Sequence, residues 1–269
     1  MSAVAGPAPA ETPKIRVEDL HKSFQGKVVL DGIGFSIAEG ESLVVVGPSG
    51  TGKSVLLKHL IGLVRPDSGK VFVDGRDFWA LSELERTAVR KKFGMSFQEG
   101  ALFDSMSIGD NVAMGLRKEH KLSEEEIATR VSESLALVDL PGVESKMPAE
   151  LSGGMRKRVG IARAIARRPK YILYDEPTTG LDPVTSAVID QLMVRTREKL
   201  GVTSIVITHD MRSAYTVGDR IAMLYRGSIR QVGTVEEIQR TGDPLVRQFI
   251  EGRPEAADDA ERAAAGAAP

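Results

Sequence analysis

Cysteine is missing from all 269 residues, which removes disulfides, thiolate metal sites and a cysteine nucleophile, and agrees with a reducing compartment. Aromatic residues are scarce at 5%. No apolar run approaches the roughly 18 to 20 residues that cross a bilayer. Residues 1–13 have neither a basic start nor an apolar core, so no secretory signal is read there and the chain is expected to be cytoplasmic. An excess of either charge is lacking too, with 36 Lys plus Arg against 37 Asp plus Glu and a net charge of -1. No overall field therefore draws the chain to a nucleic-acid backbone or an anionic membrane.

What is present is a globular composition, 42% hydrophobic and 27% charged. The length suits one large domain or a domain carrying an insertion. Residues 1–13 are rich in Ala and Pro, and residues 253–269 hold few large apolar side chains. Both ends read as disordered tails around a folded domain at 14–252. Within it, short β-branched runs at 43–46, 71–73, 171–174, 204–207 and 221–225 read as buried strands. Helices separate several of them. One over 53–61 ends at Gly62; another over 183–200 has Asp182 as N-cap, Pro183 in its first turn and Gly201 beyond its end. This alternation predicts a parallel sheet covered on both faces. Two regions differ. Residues 15–42 alternate like antiparallel strands with a turn at Gln25-Gly26, and residues 100–165 are helical in pattern, so they read as a helical subdomain inserted into an α/β core.

Gly47-Pro48-Ser49-Gly50-Thr51-Gly52-Lys53-Ser54 fits GxxxxGK[ST] between a strand and a helix, the context a phosphate-binding loop requires. Its glycines let backbone N–H groups converge on phosphate oxygens, and the helix N-terminus adds positive potential. Lys53 is expected to reach the β and γ phosphates of ATP, and Ser54 to ligate Mg²⁺. A chance glycine-rich turn is the alternative. The apolar run 171–174 ends in Asp175-Glu176, which places Asp175 to hold the metal and Glu176 to polarise water. Taken alone, Asp-Glu-Pro also suits a plain turn. Gln98, Asp182 and His209 sit where apolar runs end. His21, His59 and His120 read as ordinary structural histidines, the commoner role for a lone histidine. Ser152-Gly153-Gly154 makes a second helix start suited to an anion, with no second lysine loop to serve it.

Together these segments resemble the ATPase subunit of ABC transporters, over about residues 15–252 and in the same order of six motifs. The resemblance implies a RecA-like P-loop core with a β-subdomain and a helical subdomain. It implies a homodimer sandwiching two ATP molecules, each held by one chain's P-loop and by the partner's Ser152, Gly153 and Gly154. Gln98 would touch Mg²⁺ and couple to membrane permease subunits. Asp182 would be the D-loop acid, His209 would sense the γ-phosphate, and Phe24 would stack on adenine, a place many members give to Tyr. Met155 replaces the usual Gln of the signature. With the segment 97–103 and the ending 243–249, it resembles the Mla-type, phospholipid-trafficking subgroup. That implies a permease dimer in the inner membrane, a periplasmic MCE-type lipid-binding partner, a small STAS-domain protein on the helical region, and a tail at Phe249 reaching the other ATPase subunit. The chain would lie on the cytoplasmic face of the membrane. Alternatives are the ATPase of a transporter for another solute, or of an exporter, and a soluble ABC scaffold without a permease. The cations Arg156, Lys157, Arg158, Arg163, Arg167 and Arg168 read as a solvated helix face rather than a DNA site.

Overall fold

The computed structural model describes residues 13–98 and 100–253. Apart from Pro13 and Arg253, the expected tails lie outside the described residues. The chain begins with two antiparallel strands, β1 (Ile15–Phe24) and β2 (Lys27–Ile37). Their loop is Gln25-Gly26, with φ of 50° and 81°, the left-handed pair that a two-residue hairpin turn requires. Next come β3 (Ser42–Val46), α1 (Lys53–Leu60), β4 (Ser68–Val73), β5 (Arg76–Asp77) and α2 (Glu83–Arg90). After β6 (Phe93–Ser96) the chain turns helical: α3 (Ile108–Arg117), α4 (Glu124–Leu137) and α5 (Gly153–Ile165). The α/β rhythm then resumes with β7 (Tyr171–Asp175), α6 (Pro183–Leu200), β8 (Thr203–Ile207), α7 (Met211–Val217) and β9 (Arg220–Tyr225). It closes with β10 (Ser228–Thr234), α8 (Val235–Gln239) and α9 (Pro244–Ile250).

The larger sheet has the order β10-β9-β3-β8-β7-β6, parallel throughout except for β10. Successive strand side chains point to opposite faces, and the apolar runs supply both. Val44, Val46, Ile172 and Tyr174 pack with Ile108, Val131, Ile161, Ile189 and Ala214 of the helices on one side. Leu43, Val45, Tyr171 and Leu173 pack on the other side with Leu56 and Leu60 of α1 and the smaller sheet. A strand buried on both faces has no polar side to alternate with, which is why these runs read as continuously apolar.

The smaller sheet is antiparallel, in the order β2-β1-β4-β5. Here the structure corrects one expectation. Residues 71–73 belong to β4, paired antiparallel with β1, and not to the parallel sheet. Val71 and Val73 are buried while Phe72 between them is only partly so, the one-sided pattern of a sheet with one face in the core.

Between β6 and β7 no strand occurs among the described residues. The helical subdomain is fastened to the core at close quarters, since a Cβ on Gly94 of β6 would lie 2.2 Å from the Ala164 carbonyl oxygen of α5. Asn111, fully buried in α3, fixes the loop leading into that helix. Its Oδ1 accepts from the Phe103 N–H at 2.7 Å, and its Nδ2 donates to the carbonyls of Phe103, Met106 and Ser107 at 3.0–3.1 Å. Phe249 packs on its own subunit's helical-side core, which places the residue expected to begin a crossing tail against its own chain.

Candidate nucleotide site

β3, β8, β7 and β6 lie side by side, so the loops leaving their carboxyl ends converge. Such ends are where open α/β sheets bind ligands. The loop after β3 carries residues 47–54, that after β8 His209, that after β7 Glu176, and that after β6 Gln98. They surround a cavity of about 410 Å³ whose walls include Ser49, Gly50, Gly52, Lys53, Ser54, Gln98, Glu176 and His209.

The glycines are required by space as well as by conformation. Gly47 has φ 150°, and a Cβ there would meet the Leu224 carbonyl oxygen at 2.1 Å. Gly52 has φ 99° and no room beside Val29. Gly52 also precedes α1 without any side-chain cap, leaving the helix's positive end to the cavity. Lys53 is only 7% exposed. Its Nζ donates to the carbonyls of Gly47 at 2.7 Å and Pro48 at 2.8 Å. Burial pushes its pKa down, opposed by the negative charges of Glu176 and Asp175. An ammonium held this way could exchange carbonyl dipoles for the oxygens of an entering anion.

Ser54 Oγ donates to Asp175 Oδ1 at 3.1 Å. Burial raises the Asp175 pKa; the Ser54 bond lowers it again and the neighbouring Glu176 raises it. The two oxygens meet beside the phosphate loop, on a partly buried carboxylate. That donor set fits Mg²⁺, which takes one or two protein oxygens and completes its shell with phosphate and water. No cluster of three or more His, Asp or Glu suited to a metal occurs among the described residues.

Glu176 has φ 51°, a left-handed conformation unfavourable for this residue type. Its N–H donates to the Ile207 carbonyl at 2.9 Å, pinning it to β8. Its Oε2 accepts from Thr179 Oγ1 and pairs with His209 Nδ1, both at 2.8 Å. The Glu176 side chain is 13% exposed and that of His209 51%, so the carboxylate is held from behind while the imidazole faces solvent.

Other expected residues lie elsewhere. Ser152 caps α5, accepting from the Met155 N–H at 3.3 Å. Gly154 is pressed against Thr185, to whose Cγ2 a Cβ would come within 2.7 Å. Asp182 caps α6 through the N–H groups of Val184 and Thr185, both at 3.0 Å. Ser152, Gly153, Gly154 and Asp182 do not line the cavity. Phe24 does not either; it projects from the end of β1 with Lys22 Nζ 5.2 Å from its ring centre. Val29, Val55 and Thr179 do line it and were not anticipated. Thr179 had a signal in standing three residues after Glu176, whereas Val29 comes from β2 and reaches the cavity only through the tertiary fold.

The expected solvated basic face is corrected. Arg156 donates to the Leu151 carbonyl at 2.7 Å, Lys157 to that of Thr179, and Arg163 to those of Gly100 and Ala101 at 2.7 Å. Arg158 reaches the Asp139 carbonyl, Arg167 pairs with Glu119 and Arg168 with Glu133. Most of these bonds tie parts of the helical subdomain to one another, Lys157 reaches out to the loop after β7, and Arg168 keeps an exposed side chain.

The ABC transporter family model matches residues 30–179. The chain belongs to the ABC transporter family and is an ATP-binding ATPase of that class. It is 46% identical over 239 residues to a probable ribonucleotide transport ATP-binding protein of Mycobacterium tuberculosis, covering 89% of this chain and 67% of that one. Against the intermembrane phospholipid transport system ATP-binding protein MlaF of Escherichia coli it is 37% identical over 238 residues, 88% of each. Against the chloroplastic protein trigalactosyldiacylglycerol 3 of Arabidopsis thaliana it is 40% identical over 255 residues, covering 88% and 73%. Among solved structures it resembles the dimeric ATP-binding cassette MJ0796 in a post-hydrolysis state bound to ADP and Pi, with a TM-score of 0.75 and 33% identity over 82% of this chain and 98% of that one.

The charge at Asp175 gives a prediction with a definite sign. Its folded pKa lies above the ordinary value, so the carboxyl lowers stability at neutral pH, and that penalty fades as pH falls below the unfolded value. Asp175→Asn is therefore expected to raise the nucleotide-free melting temperature at pH 7.5, with the difference shrinking toward pH 4, while losing Mg²⁺-dependent hydrolysis. Melting curves at both pH values check it.

Proposed function

We propose that the chain is the ATP-hydrolysing subunit of a transporter that moves phospholipid between membranes. Within it, Lys53 holds the β and γ phosphates, Ser54 and Asp175 hold Mg²⁺ with Gln98 beside them, and Glu176 polarises the attacking water. The observation that carries this mechanism is the shared contact of Thr179 and His209 with Glu176 Oε2, across the cavity from the phosphate loop. Thr179 fixes the carboxylate, and His209, exposed to the cavity, is free to turn toward a γ-phosphate. In this reading Mg²⁺ neutralises phosphate charge, while the chain's own groups place the water and exclude other geometries.

The site is completed by a second copy. Gly153 has only Arg156 Nη2 near its missing Cβ, at 3.9 Å, and the start of α5 does not line its own chain's nucleotide cavity. A partner's Ser152, Gly153 and Gly154 would meet the γ-phosphate from the opposite side, with Asp182 at the seam. Phe24, although outside the cavity walls, would close on adenine from the β1 end. The membrane subunits would dock beside Gln98, where Phe97 and Phe103 are exposed next to a residue that lines the nucleotide cavity. The chain would thereby sit on the cytoplasmic face of the inner membrane, with an MCE-type lipid carrier and a STAS-domain protein as further partners.

The lipid assignment draws support from the likeness to MlaF and from the segment 97–103. A ribonucleotide cargo is the second reading, favoured by the name of the mycobacterial relative. Two outcomes test these statements. Glu176→Gln is expected to bind ATP as the wild type does, to slow hydrolysis by about 10² to 10⁴-fold and to accumulate a closed dimer on gel filtration with ATP; near-normal turnover removes Glu176 from the role. The detergent-solubilised complex is expected to carry phospholipid and an MCE-domain protein when analysed by mass spectrometry; ribonucleotide cargo without lipid favours the second reading.

A further inference from the structure

A second group of polar side chains is buried between α6 and α7, outside the nucleotide cavity. Asp190 of α6 is 5% exposed and Ser213 of α7 fully buried. Ser213 Oγ donates to Asp190 Oδ2 at 2.9 Å and lies 3.4 Å from both Thr178 Oγ1 and Asp210 Oδ2. The other oxygen of Asp190, Oδ1, is buried without a partner among the described residues.

This group joins the two loops that carry the proposed catalytic pair. Thr178 stands between Glu176 and Thr179, and Thr179 donates to Glu176 Oε2. Ser213 lies one helical turn beyond His209, on the helix that Asp210 caps by accepting from the Arg212 N–H at 2.8 Å. The Asp210 N–H in turn donates to Thr208 Oγ1 at 3.0 Å, next to His209. We propose that Asp190 is a positioning residue for hydrolysis: by holding Ser213 it fixes the 176–179 loop to the start of α7 and so sets Glu176 against His209. The inference rests on the roles given to Glu176 and His209 above.

Packing alone does not account for an aspartate here. Asn has nearly the same volume and carries no charge to bury. Burial drives the Asp190 pKa up to about 6, eased by the Ser213 bond and reinforced by the charge of Asp210. A folded pKa above the ordinary value means that the ionised carboxyl lowers stability at neutral pH, a penalty lost as pH falls through that value and below the unfolded one. What the charge contributes is direction. An ionised oxygen only accepts, so Ser213 must donate to it, and the Ser213 oxygen is then left to accept from Thr178. Asn both donates and accepts, so it permits either orientation and leaves the chain of hydroxyls unspecified. Asp190 also lines a cavity of about 500 Å³ between the two helices, where the charged groups facing it are Asp210 and Arg212 of α7. Protons can reach the carboxyl by that route.

The test compares full-length wild type with Asp190→Asn, Ser213→Ala and the double variant, measuring melting temperature, ATP affinity and turnover from pH 5.5 to 8. Asp190→Asn is expected to melt no lower than wild type at pH 7.5 and to bind ATP within about twofold. Its turnover should fall on the order of tenfold, the worth of one well-aligned hydrogen bond. Wild-type kcat is expected to rise through pH about 6, where Asp190 titrates, and Asp190→Asn to lack that rise. Ser213→Ala should lose as much, and the double variant no more, because both remove one link. Unchanged turnover and pH profile in Asp190→Asn overturn the inference. So does a loss of turnover that only tracks a lower melting temperature. His209→Ala and Glu176→Gln are measured alongside. Full turnover in those two removes the reading on which the inference rests, whereas their inactivity beside an unaffected Asp190→Asn removes the inference alone.

Discussion

A lysine ammonium enclosed by its own loop's carbonyl oxygens is the constraint around which this molecule is arranged. Lys53 is buried and its Nζ donates to the carbonyls of Gly47 and Pro48, so the charge is held by backbone dipoles inside the loop. Such a cation is tolerable only where dipoles converge on it. Convergence needs backbone without side chains, which is why Gly47 and Gly52 have no space for a Cβ. It also needs a rigid base. β3 supplies one from the middle of the parallel sheet, flanked by β8 and β9.

The same placement brings the rest of the chemistry within reach. β8 delivers His209, and β7, one strand further, delivers Asp175 and Glu176. The strain at Glu176, with φ 51°, is held by its N–H bond to Ile207, so one residue sits in an unfavourable conformation in order to aim its carboxylate. The Ser152 segment of the helical subdomain, in contrast, does not line this cavity and packs on α6 through Gly154 and Thr185. In the function proposed here, the Ser152 segment serves the phosphate loop of a second copy and not that of its own chain.

Much of this was legible in the residues because the chemistry dictates their spacing. Phosphate cradling demands glycines at fixed positions before a helix, and the acid proposed to hold a metal ends a strand, so the loop at 47–54 and the pair Asp175-Glu176 stood out. The helix Pro183–Leu200 was legible to its caps for the same local reason. What was hidden depends on the tertiary fold. Sheet membership of β4 rests on pairing with β1, about fifty residues earlier, and nothing local encodes it. Phe24 reads as an adenine platform by position, yet β2 brings Val29 to the cavity wall. A row of arginines after the signature looks solvated until the carbonyls of Gly100, Ala101 and Leu151 are seen beneath it. Asp190 gave no signal, since an acid in mid-helix reads as an exposed one until α7 covers it.

The central claim, that each ATP site is shared between two copies, is tested most directly by mixing two inactive chains. Lys53→Ala destroys the phosphate loop and Ser152→Ala the facing helix start. A mixed dimer places both lesions in one site and leaves the other intact. The account predicts that each variant alone is inactive and that the mixture regains ATP turnover and ATP-dependent dimerisation. A mixture that neither dimerises with ATP nor hydrolyses it, while each chain remains folded, contradicts the shared site.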